Sequence, residues 1–148
     1  MGQQQLLLLV LSTVIVGLAT VAGIQAFSEN QAQASQDALV QRGTSVASDI
    51  KGIQGKPNQL GGIDLINESP TSKEIARKVG LENNPFEAQG AGPNSYCQIA
   101  EDAANDQAHV QCVSDDAPQD VQVTYNAADD EVTTDFSQSF SISSTQSI

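Results

Sequence analysis

Few side chains in this 148-residue chain are of the types that do chemistry, and their spacing limits what that chemistry is. Cys97 and Cys112 belong to no CxxC pair and no Cys/His cluster, so neither a zinc site nor a dithiol redox motif is read from them. His109 is the single histidine, and without metal-spaced neighbours it reads as a structural or solvent-facing side chain. Asp115, Asp116 and Asp120, and again Asp129, Asp130 and Glu131, offer the oxygen ligands that calcium takes. Neither group has the spacing of a calcium loop, and solvated turns are the better reading. There is no glycine-rich phosphate loop and no nucleophile–base arrangement. No catalytic residue, cofactor or metal is assigned, and an enzyme is the least supported class. Asn67-Glu68-Ser69 is an N-glycosylation sequon weakened by Pro70, and the serine- and threonine-rich tail is a second place for sugar.

The elements around these residues follow from hydrophobic period. From Tyr96 the apolar residues alternate, so 96–100 and 109–113 read as strands joined by the turn-rich EDAANDQ. Pairing them antiparallel with Cys97 opposite Cys112 puts Ile99 opposite Val110 on the same face. A cross-strand disulfide follows naturally, worth about 3 kcal/mol for a loop of this length; the alternative is two free buried thiols. VQVTY and EVTTDF flank NAADD as a second hairpin, and alternation continues through Phe136, Phe140 and Ile142. Upstream, Thr71-Ser72-Lys73-Glu74 is a capping box, and Gly80 closes an expected two-turn helix with Ile75 and Val79 inward. Residues 63–66 read as a short extended piece, and ENNPFEAQGAGPNS as an exposed connector.

Charge is distributed unevenly. The net charge is −12, yet six acidic residues and six Lys or Arg cancel through Lys78, and the remaining twelve acids have no basic residue among them. Such a C-terminal half repels nucleic acid and anionic lipid, so no direct nucleic-acid binding is expected. Acidic, lysine-poor composition also hints at a high-salt habitat.

The N-terminus is of a different character. Residues 6–24 are uncharged and dominated by Leu6, Leu7, Leu8, Leu9, Val10, Leu11, Val14, Ile15, Val16, Leu18, Val21 and Ile24. As a helix this stretch is roughly 28 Å long, against about 30 Å for a bilayer core. No basic residue precedes it, since the first is Arg42. Inserted chains normally carry such charge, which leads to the expectation that a basic leader has been cut away. No proline follows until Pro57, and Phe27, Ala34, Ala38, Val46, Ile50 and Ile53 recur at helical spacing. A single helix of about fifty residues is expected, greasy all round in its first half and amphipathic in its second. Gly55 and Pro57 stop it.

This combination resembles the type IV pilins and their pseudopilin relatives: an uncharged N-terminus, nineteen apolar residues, an amphipathic continuation and a small β-rich region. The likeness covers about residues 1–55 well and the remainder in general plan. It implies an α+β fold with a long N-terminal helix packed on a small antiparallel sheet of about four strands. Residues 1–25 would form a protruding half-helix and 26–148 a globular head. It further implies a structural subunit of an extracellular helical filament, polymerising through the apolar helix after residence in the inner membrane. The implied partners are further copies of the chain, a prepilin peptidase and the pilus assembly machinery. A secretion pseudopilin and a non-polymerising single-pass surface domain are the alternatives. The resemblance makes Met1 (or Gln3, had cleavage followed Gly2) a processed, methylated end. Two family features are missing: Gln5 stands where a glutamate is usual, and no proline falls near residue 22. Gly17 and Gly23 are the points where the helix would loosen, or equally where a second helix could approach closely.

Overall fold

The computed structural model describes residues 2–137. Met1, Phe140 and Ile142 lie outside the described residues. The element order is α1 (Gly2–Gln54), a one-turn 3-10 helix (Asn58–Leu60), α2 (Ser72–Val79), then β1 (Phe86–Glu87), β2 (Tyr96–Asp102), β3 (Gln107–Val113), β4 (Asp120–Asn126) and β5 (Glu131–Ser137). By internal contacts the chain divides into two compact units, Met1–Ala32 and Gln33–Ile148.

The first unit is the N-terminal part of α1 alone. It is helical without interruption through Gly17 and Gly23. Its two threonine hydroxyls are satisfied within the helix, Thr13 donating to the Val10 carbonyl and Thr20 to that of Val16, each at 2.8 Å.

The second unit packs the remaining part of α1, together with α2, on one face of an antiparallel sheet in the order β1-β2-β3-β4-β5. Strand alternation puts Cys97, Ile99, Ala108, Val110, Cys112, Val121, Val123 and Tyr125 into the core. The expected register is observed, with Cys97 opposite Cys112 and Ile99 opposite Val110. Both expected hairpins form, β2–β3 and β4–β5. The α2 cap is also as expected: Thr71 Oγ1 accepts the Glu74 N–H, and Gly80 is left-handed at φ 89°. Ile75 is fully buried and Val79 packs against the core.

Three expectations are corrected. The buried face of α1 runs through Ser35, Leu39, Gly43, Val46, Ala47, Ile50 and Ile53, leaving Phe27 73% exposed and Ala34 outside the core. Gly43 explains the rotation, because a Cβ there would lie 2.8 Å from Val123 Cγ2. A face chosen by apolar residues alone misses a glycine that brings the helix backbone onto the sheet. Residues 63–66 are not extended, since the Asp64 carboxylate accepts the N–H groups of Ile66 (3.0 Å) and Asn67 (2.9 Å) and turns the chain. Finally, the 82–95 stretch is no exposed connector. It contributes β1, the fifth strand, and buries Asn84, Phe86, Ala88, Ala91 and Ser95.

Asn84 shows why that stretch packs. Phe86 pairs with Cys97, so two residues further along the same register Asn84 faces Ile99. Pro85 has no N–H to continue a ladder. The Asn84 side chain does so instead, donating from Nδ2 to the Ile99 carbonyl (2.9 Å) and accepting the Ile99 N–H at Oδ1 (2.8 Å). A side-chain amide thus stands in for a backbone one.

Candidate functional site

The largest exposed apolar surface is the one α1 carries in the first unit. Its twelve Leu, Val and Ile residues between Leu6 and Ile24 are 50% to 70% exposed. No charge occurs before Glu29. An α-helix satisfies its own backbone groups, which is the requirement for crossing hydrocarbon. α1 is long and apolar enough to cross a membrane and to anchor the chain in one. The helix has no acidic residue in its first turn; Gln3, Gln4 and Gln5 are there.

In the second unit, Cys97 and Cys112 form a disulfide across β2 and β3, both fully buried. Cys112 Sγ lies 3.7 Å from where a Gly43 Cβ would stand, so the bridge sits under the closest approach of helix to sheet. It ties β2 to β3, the strand whose Cys112 lies beneath Gly43 of α1.

The acidic groups do not converge. Asp130 is bound to Lys51, carboxylate to ammonium at 2.9 Å, and Lys51 also donates to the Asp130 carbonyl at 3.0 Å. Tyr125 donates its hydroxyl to the same carboxylate at 3.2 Å. The Lys51 hydrogen bond holds Asp130 below the usual carboxylate range, while burial and Asp130 push the Tyr125 phenol up to about 12. Asp129 accepts from Asn126, and Asp115 from Asn94, each at 2.7 Å. Among the described residues, no group of three or more His, Cys, Asp or Glu is placed to hold a metal ion. His109 lies on the solvent face of the sheet, its Nδ1 2.8 Å from Thr124 Oγ1 and 3.3 Å from Gln122 Nε2. Partial burial pulls its pKa down, opposed by the charge of Asp102. Beside it Gln98 donates to Gln111 (3.1 Å) and Gln111 to Gln122 (3.0 Å), an amide ladder across three strands. The imidazole is one more rung in that polar face.

Two surface features escaped sequence reasoning. A groove of about 510 Å³ is lined by Arg42, Leu81, Glu82, Pro85, Phe86, Glu87 and Tyr96, among others. Arg42 lies over the Phe86 ring at 5.2 Å, and its Nε is buried without a hydrogen-bond partner. At the C-terminal end of α1, Leu60 is 76% exposed on the 3-10 turn. That turn is closed by Leu60 N–H to the Pro57 carbonyl (2.8 Å) and Gly62 N–H to the same carbonyl (3.2 Å). Nothing in a Gly/Pro/Asn-rich connector marks its leucine as presented outward; only the local hydrogen bonding does.

Compared with protein-family models, curated proteins and solved structures, the chain finds no match.

Proposed function

We propose that this chain is the structural subunit of an extracellular helical filament of the type IV pilus kind. Its apolar N-terminal helix first anchors it in the membrane and then packs among copies in the filament core. The observation that supports this best is the contrast within α1. Residues 35–53 bury a face in a folded unit, while residues 6–24 leave every large apolar side chain exposed. Exposed surface of that size marks a site for lipid or for other protein. At about 25 cal/mol per Å² removed from water, the segment has a large free energy to gain from either. In lipid the preference between bilayer and bundle is set by close packing, to which Gly17 and Gly23 are suited. No step in this role requires catalysis, and the acidic sheet surface keeps assembled heads soluble.

The second reading, an anchored domain that never polymerises, draws on the same membrane-length helix. Electron microscopy of sheared surface material separates them, comparing wild type with Leu9→Asp. Filaments containing this chain, lost in the variant, support the filament reading. Wild-type chain found only as a monomer in detergent extracts overturns it.

A further inference from the structure

We infer that the exposed Leu60 turn of one copy docks into the 42–96 groove of the next, so that heads stack through a head-to-tail contact. The inference rests on the filament reading and supplies the contact between its heads.

Three observations carry it. The Leu60 residue is 76% exposed on a turn whose backbone is already fixed by two hydrogen bonds to Pro57, so docking has the side chain rather than the backbone left to order. The groove offers matching apolar walls in Leu81, Pro85, Phe86 and the 41% exposed Tyr96, with a volume of about 510 Å³ that accommodates such a side chain. Charge is complementary as well. Lys56 flanks the turn, Glu82 and Glu87 line the groove, and all three are exposed without an ion pair among the described residues. Arg42, the groove's one cation, is stacked on Phe86 and leaves the groove net negative.

The two surfaces cannot meet within one copy. Arg42 and the end of α1 at Gln54 are twelve residues apart, about 18 Å along the helix at 1.5 Å per residue. A contact between different patches of identical chains is heterologous, and repeated without closing into a ring it gives the open array that a filament needs.

Cysteine pairing tests this in assembled material, since the described chain has no free cysteine to interfere. The double variant Leu60→Cys with Glu87→Cys, assembled and then oxidised, is expected to give a ladder of covalent multimers on non-reducing gels. Each single variant is expected to remain monomeric. Lys56→Glu is expected to raise the critical concentration for assembly roughly tenfold, the size of a small rim pair turned repulsive. Glu82→Lys with Glu87→Lys in the same chain is expected to restore it. Filaments that form without a ladder, or a Lys56→Glu defect that the charge swap leaves unchanged, overturn the docking and leave the filament reading standing. A wild-type chain that forms no filament overturns both.

Discussion

Replacing Asn84 by alanine removes a strand extension made by one side chain. Asn84 is 2% exposed, and its amide makes two bonds to Ile99, whose own side chain is 2% exposed in the core. Alanine leaves the Ile99 N–H and carbonyl without these partners. A buried polar group stripped of its bond costs about 1–3 kcal/mol, so the pair costs about 2–6 kcal/mol. Against a stability of about 5–15 kcal/mol that is a large fraction. With a slope of about 1–3 kcal/mol per M, a mid-range cost of about 4 kcal/mol lowers the urea midpoint of the chain in detergent by about 1–4 M. Asn84→Asp separates the two bonds, because a carboxylate still accepts the Ile99 N–H but cannot donate to the carbonyl. Hydrogen exchange at the Ile99 amide should therefore accelerate strongly in the alanine variant and less in the aspartate one. An Asn84→Ala midpoint within experimental error of wild type, with the Ile99 amide still protected, would refute the role assigned to that side chain.

Gly43→Ala and Gly52→Ala should shift stability in opposite directions. At Gly43 a Cβ lies 2.8 Å from Val123 Cγ2, whereas at Gly52 it meets nothing within 4 Å. Overpacking of about 1–3 kcal/mol outweighs a propensity gain of about 1 kcal/mol at the first site, and only the gain applies at the second; thermal melts of the two variants read the difference. His109 has a folded pKa below its ordinary 6.5, so the unfolded chain binds the proton first as pH falls. Its contribution is present above about 6.5 and is lost as pH drops below that value. Urea midpoints against pH should show a decline through that window that His109→Gln abolishes. Tyr125, raised to about 12 from 10.0, loses its proton later in the folded than in the unfolded chain. Stability should therefore fall as pH rises from 10 toward 12, and near-ultraviolet phenolate absorbance in a Tyr96→Phe background should place the Tyr125 transition near 12.

Much of this fold is written locally. The α2 cap rests on four adjacent residues, and the β2–β3 register rests on alternation that a one-residue slip would turn inside out. Residues 6–24 announce themselves by the lack of any charge. What sequence reasoning missed depends on partners distant along the chain. Asn84 and Pro85 read as turn residues because that is what their types favour in isolation, yet Asn84 is consumed by the edge of β2. Gly43 is indistinguishable from a helix-weakening glycine until Val123 is placed against it. Leu60 and the groove are legible only as exposure and shape.

Helical reconstruction of filaments purified from the surface tests the filament proposal most directly. The expected map has residues 6–24 as packed helices along the axis, with the sheet-bearing units outside. A map whose core is built from the sheets, or filaments from which this chain is absent, would contradict it.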